Sequence, residues 1–533
     1  MAAARRVVEK YHQQLLASLV VLVVVTGVGY RMVALGRLPG INGDETYYPV
    51  AAMNVRDGRP QRLVSGSGFP LNPLYVGPTY FLHLSHPTPS FALVRLPALV
   101  SGLLALALMY PLVLRVSDRH AALYATLLLA SLPTAIAYSR FGWDQSQAPL
   151  IALVCVYCAL RNWPTCLVLS YAVALWIHPL NVFLAAIVLG PIAARDVATW
   201  QRLRSLAASM RNLATIGGVA VAGAGLLVWF SPTVRDVTAP ALGRIFDVSG
   251  WLMYVVAVGD LLSGVTIYRF IAGEPPLAWI IVERSVFWSL TIYLLVRILP
   301  MWVRSREDVK LGLLGGAAVA VVAFYVLIGA EALTPGWERY GVWMISPACV
   351  ILALLISSLG TSAASRSAQT IGVVAACVFM LAGFYRNYFA VLQSSGGRAA
   401  SLAFRTGPVE PKQAAFDAIL TMTSDEPGPV TILTEDWWTY YPLRYLAAER
   451  EAMTVVWPFG DAIAGTAPEP RHRFAVGFDR GPFHRWVDLH APELRRQTVM
   501  DSAGQPILHV WDLASRSGLQ QELLDAARSD YLH

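Results

Sequence analysis

Apolar blocks of roughly 15–25 residues recur along most of this chain, and that length is what a helix needs to cross the hydrocarbon core of a bilayer. They fall near 15–35, 91–114, 120–138, 147–160, 164–179, 181–194, 213–231, 279–300, 311–330, 341–359 and 370–390. A chain built this way folds as a bundle of about eleven spanning helices, because lipid offers no partners to backbone groups and a helix satisfies its own. Of the 533 residues, 56% are hydrophobic and only 14% charged, against about 25% charged in a soluble domain. The stretch 163–194 reads either as two short helices broken at His178-Pro179 or as one long kinked helix. The stretch 250–271 is apolar but carries Asp260 and Arg269, and reads as an interfacial or re-entrant helix.

Arginines follow the spans. With the N-terminus inside, the inner loops hold Arg115, Arg119, Arg161, Arg195, Arg202, Arg204, Arg211, Arg304, Arg306, Lys310 and Arg366, as the positive-inside rule expects. The outer side then receives the connections 36–90, 139–146, 232–278 and 331–339 and everything after Tyr388. The net charge of +7 is spread over these loops rather than gathered on one soluble face, which argues against nucleic-acid binding. Arg5, Arg6 and Lys10 precede the first apolar block, which reads as an uncleaved anchor helix. The five cysteines all fall in apolar segments, and Cys155 and Cys158 read as packing. Gly217-Gly218 and Gly315-Gly316 mark close helix contacts.

After about residue 391 charges become frequent and apolar runs shorten. Helical patterns at 411–423 and 438–449 alternate with strand patterns at 430–434, 453–457, 472–478 and 507–511. The expected architecture is therefore an all-α polytopic membrane domain, 1–390, followed by a small extracytoplasmic α/β domain, 391–533.

Charged residues at the mouth of such a bundle are functional suspects by default. Asp44 and Glu45 follow the first span, within Gly40-Ile41-Asn42-Gly43-Asp44-Glu45-Thr46-Tyr47-Tyr48. Three further motifs lie on the same expected face: Val94-Arg95-Leu96-Pro97, the turn Ala137-Tyr138-Ser139-Arg140-Phe141-Gly142-Trp143-Asp144, and Glu338-Arg339-Tyr340. The chain contains no GxGxxG after a strand and no Walker sequence, so nothing points to a nucleotide.

These four motifs, in this order and over roughly residues 36–360, resemble the GT-C glycosyltransferases, in the branch of the protein O-mannosyltransferases and the lipid A aminoarabinose transferases. The resemblance implies transfer of a sugar from a polyprenyl-phosphate donor to a glycan, lipid or protein acceptor outside the cytoplasm, at a bacterial inner membrane. It implies Asp44 as general base, with Glu45 and Asp144 in support. Outer-face cations, Arg140, Arg339 and Arg269, then hold the lipid phosphate. Tyr47, Tyr48, His83, His86, Glu338 and Tyr340 are expected to line the substrate pocket. Some such relatives hold a metal near these carboxylates; no cofactor is assigned here, and a divalent ion on Asp44 and Asp144 stays open. Simpler roles compete: Asp44 as a helix N-cap, an Asp144–Arg140 ion pair fixing the turn, a Glu338–Arg339 salt bridge. Glu435-Asp436-Trp437-Trp438-Thr439-Tyr440-Tyr441 through Arg444 reads equally as a sugar-contacting patch or as core. A transporter or lipid flippase would use the same groove, but no internal repeat supports it. A non-catalytic assembly or receptor protein would put its function in the tail.

Overall fold

The computed structural model describes residues 2–59, 71–86, 88–200, 241–399, 401–459, 470–513 and 518–531. Among them, six helices are long and apolar enough to cross a membrane: Gln14–Met32, Phe91–Val113, Leu277–Ser305, Asp308–Ile328, Glu338–Ser357 and Ala363–Ser395. A seventh is bent. Val248–Ser263 and Val265–Ala272 meet at 83°, around Gly264 with φ 95°, a conformation that glycine adopts without steric cost.

Four of the expected blocks are broken or short among the described residues. The block 120–138 breaks at Pro133 into the helices Arg119–Ser131 and Pro133–Tyr138. Proline cannot donate to the preceding turn and disfavours helix in the residue before it. The blocks 147–160, 164–179 and 181–194 become Ala148–Arg161, Pro164–Ile177 and Leu184–Trp200, each 17 residues or fewer. The helix at 164–177 stops before His178-Pro179, so the two-helix alternative holds there. The expected span 213–231, with Gly217-Gly218, lies outside the described residues.

Helix Leu184–Trp200 crosses Asp308–Ile328 backbone to backbone. A Cβ at Gly190 would stand 2.1 Å from the Gly312 carbonyl oxygen, and one at Gly316 2.3 Å from that of Ala186. Gly316 is thus the contact glycine of its pair, and Gly315 faces open space. All five cysteines are free thiols.

The described residues of the connection 36–90 form the helices Gly43–Arg56 and Pro73–Ser85. The tail contributes five strands, β1 (Val430–Thr434), β2 (Met453–Val456), β3 (His472–Phe478), β4 (Arg496–Met500) and β5 (Pro506–Asp512). They form one sheet in the order β2-β1-β3-β5-β4. β1 runs parallel to β2 and β3, whereas β5 is antiparallel to β3 and β4. β4 and the helices Pro482–His490 and Leu519–Tyr531 are additions to the elements expected from the sequence pattern.

The tail is tied into the membrane part along the 36–90 connection. Gly40 donates its amide to the Phe404 carbonyl at 3.0 Å. Ile41 donates to Glu410 Oε1 at 3.1 Å, and Arg56 pairs with Glu449 at 2.7 Å. His83 shares a hydrogen bond with the Tyr445 hydroxyl at 2.8 Å.

Candidate active site

Successive helical residues point about 100° apart, so the adjacent acids of helix Gly43–Arg56 face different surroundings. Glu45 turns inward and is fully buried. Arg95, from helix Phe91–Val113, grips it through Nε at 2.6 Å and Nη2 at 2.8 Å, and the Gly142 amide donates to it at 2.7 Å. It also closes a capping box with Asn42, the N-cap of its own helix. Arg95 spends its other donors on the carbonyls of Leu35, Pro39 and Gly40. One buried pair therefore joins three of the four sequence motifs, and Glu45 acts as a fastener. Glu45→Gln strands a buried guanidinium and is expected to cost about 3–5 kcal/mol of stability. A melting temperature in detergent equal to the parent's would overturn that.

Asp44 turns the other way. Its side chain is 28% exposed. Asn42 takes the N-cap position, which removes the capping role for Asp44. Arg339 Nη1 donates to Asp44 Oδ2 at 2.9 Å, and the Trp437 indole donates to Oδ1 at 3.0 Å. Trp437 opens the helix Trp437–Ala447 of the tail. Its backbone and ring occupy the space a Cβ at residue 43 would need, so only glycine fits there. Its ring stacks on Tyr47 at 5.4 Å, and Tyr441 closes against the same pair.

Asp144 lies in the same field. Its carboxyl is pushed up to about 6, chiefly by burial; the Tyr48 hydroxyl and Gln145 amide oppose the shift by bonding the charged form, the Arg339 cation adds to them, and the Asp44 carboxylate pushes it higher. The two acids and Arg339 are thus one electrostatic unit. The guanidinium of Arg339 lies over Trp143 at 5.4 Å and Tyr340 at 5.5 Å, a geometry that favours a cation. Its Nε–H is buried and meets no acceptor among the described residues.

Other expected residues sit elsewhere. Arg140 is buried, with its Nη donors on the carbonyls of Tyr30, Val33 and Leu38 at 2.5–2.7 Å; it clamps the end of the first helix and neither meets Asp144 nor faces the acids. Arg269 pairs with Glu274 at 2.7 Å and with Asp260 at 3.3 Å, and Arg284 holds the same Asp260. Glu338 does not pair with Arg339; it accepts from the Tyr138 hydroxyl and the Gly336 amide. His83 packs against Tyr445, and His86 bonds Ser85 at the surface. Trp143, from the turn motif, and Trp437, from the tail patch, belong to the site through contacts with Arg339 and Asp44 that the sequence does not assign. Within the tail patch, Glu435 accepts from the Phe478 and Phe483 amides and Asp436 caps the helix. Those two carboxylates are structural, and the aromatic residues Trp437 and Tyr441 reach the site.

Among the described residues no His, Cys or third carboxylate joins Asp44 and Asp144 in a ligand cluster, and Arg339 bonds Asp44 at 2.9 Å.

This is the GT-C glycosyltransferase fold. The chain is similar to ArnT from Cupriavidus metallidurans in the apo state, at 12% identity over 93% of this chain and 98% of that one, with TM-score 0.51. It is also similar to the same enzyme bound to undecaprenyl phosphate, at 13% identity over 92% and 97%, with TM-score 0.50. Against the Archaeoglobus fulgidus oligosaccharyltransferase the identity is 14% and the TM-score 0.45; the match takes in 81% of this chain but only 64% of that one. No protein-family model and no curated protein matches this chain.

Proposed function

We propose that this chain is an inverting, polyprenyl-phosphate-dependent glycosyltransferase of a bacterial inner membrane. Residues 1–390 form its catalytic membrane domain, and 391–533 lie outside the cytoplasm. The observation that supports this best is the cluster of Asp44, Arg339 and Asp144, in which Arg339 bonds Asp44 and its charge acts on Asp144. The donor brings an activated phosphate ester on a lipid tail, and a lipid-open helical fold suits such a substrate. One solved relative of this fold binds undecaprenyl phosphate.

In this reading Asp44 takes the proton from the acceptor hydroxyl as it attacks the anomeric carbon. The carrier phosphate leaves as an anion and needs positive charge rather than a proton donor. Arg339 meets that need: one Nη holds Asp44, and the unpartnered Nε–H has the fork geometry for a phosphate oxygen. Asp144, through Tyr48, orients the acceptor side. Arg269 stands by as a second outer cation within its own ion-pair cluster. Tyr47, Tyr340 and Trp437 supply aromatic faces for a sugar.

Co-purification tests the donor. Extraction with native lipids followed by mass spectrometry is expected to find a polyprenyl phosphate or its glycosylated form on the protein. Bulk phospholipid alone would count against it, and flipping of the carrier in liposomes without any acceptor would favour a transporter.

Trp437 orients the base. Trp437→Phe keeps the stack on Tyr47 and removes one hydrogen bond to a carboxylate, worth about 1.5–3 kcal/mol. Transfer is expected to fall about tenfold or more with donor binding kept. Unchanged turnover would show that the tail only covers the site.

A further inference from the structure

A second cluster of chemically capable side chains lies in the tail. Asp479 follows β3, His484 is on the helix Pro482–His490, and His509 is on β5. Asp479 Oδ1 stands 3.2 Å from His484 Nδ1 and 3.1 Å from His509 Nε2. All three candidate ligand atoms lie within 4.8 Å of one another. Ligands about 2.0–2.2 Å from a shared zinc ion stand about 3–3.5 Å apart, so both separations from Asp479 fit a common ion. No hydrogen bond or ion pair among the described residues ties this cluster to Asp44, Asp144 or Arg339.

The surroundings are those of metal-binding imidazoles. Each histidine turns one ring nitrogen to Asp479 and has the other held by an oxygen. His484 Nε2 meets Asp488 Oδ2 at 3.1 Å, and His509 Nδ1 meets Thr498 Oγ1 at 3.0 Å. Such outer partners fix the tautomer and aim the free lone pair. Asp488 is held in turn by Arg496 at 3.2 Å.

The inner contacts are not satisfied by protons alone. The Arg480 amide donates to His484 Nδ1 at 2.7 Å, from a residue held at φ 59°. That nitrogen is therefore an acceptor, and its proton is on Nε2, facing Asp488. His484 Nδ1 and Asp479 Oδ1 are then two acceptors 3.2 Å apart with no hydrogen between them. A cation relieves that opposition, displacing the Arg480 amide as it binds. His484 and Asp479 are 14% and 16% exposed, which leaves a position open to water.

We propose that Asp479, His484 and His509 bind one divalent transition-metal ion, of the zinc class, clipping the turn after β3 and the helix Pro482–His490 onto β5. The full-length protein in detergent, stripped with a chelator and dialysed, is titrated with Zn²⁺ against a chromophoric competitor. Metal content is counted by mass spectrometry, and Co²⁺ reports ligation by its visible absorption. One ion per chain is expected, both in the parent protein and in Asp44→Asn. His484→Gln and Asp479→Asn should bind at least about 100-fold more weakly and lose the Co²⁺ band. Thr498→Val touches only the outer nitrogen of His509 and should weaken binding about tenfold while leaving the fold alone. Failure of the parent to hold one ion, or equal binding by all three variants, overturns the proposal and leaves a hydrogen-bonded network only.

Discussion

Asp44→Asn is expected to lower the turnover of sugar transfer by about 10²–10⁴-fold, the usual contribution of a positioned general base. The protein should still fold. Asp44 is 28% exposed, whereas Glu45 is fully buried, and an amide oxygen still accepts from Arg339 or from Trp437. The parent's pH profile should carry an acidic limb set by Asp144. Burial pushes that carboxyl up to about 6, so it takes up a proton as the pH falls through that value. Its charge is present above pH 6 and lost below, and kcat/KM should drop tenfold per unit on the acid side. Asp144→Asn removes the titrating group, so that variant should be slow and lack the limb. Normal transfer by well-expressed Asp44→Asn would sink the assignment of the base. The assay is transfer from a defined polyprenyl-phosphate sugar to acceptor, with folding checked by gel filtration.

The convergence of Asp44, Asp144 and Arg339 is legible in the amino-acid sequence. Each lies in a connection next to an apolar block, where charge is costly without a purpose. The split between Asp44 and Glu45 is not legible there, because it depends on which face of helix Gly43–Arg56 meets Arg95. Arg140 misleads for a related reason. An Arg beside an outer turn reads as a phosphate ligand, yet the carbonyls at the end of the first helix claim its donors. Apolar runs do not show where a proline or a short helix interrupts them, as at Pro133. Trp437 is the hardest to see. Its bond to Asp44 joins positions 393 apart in sequence, and no periodicity reports such a contact. The patch around it has two readings, packing or sugar contact: Glu435 and Asp436 serve the fold, and Trp437 bonds Asp44. A tail that supplies a donor to Asp44 cannot be treated as a detachable receptor module.

Replacing Arg339 should be nearly as damaging as replacing Asp44, and for a separable reason. Arg339→Gln removes the only cation bonded to Asp44 among the described residues. Loss of a preorganised donor to a developing anion typically costs about 10²–10³-fold in turnover. Arg339→Lys keeps the charge but loses the planar fork and the stacking over Trp143 and Tyr340, so it should recover only part of the activity. The pH profile distinguishes this from simple misfolding. Arg339 pulls the Asp144 carboxyl down, against burial and against Asp44. Without it Asp144 holds its proton to higher pH, so the acidic limb of Arg339→Gln should move above 6. Arg339→Lys should leave it near the parent position. A variant that is slow but keeps the limb in place would mean that Arg339 acts on the leaving phosphate alone. A limb that moves, with full turnover at high pH, would mean that it serves only to set the charge on Asp144. Only the combination of lost turnover and a raised limb fits one cation shared by both acids and the carrier phosphate.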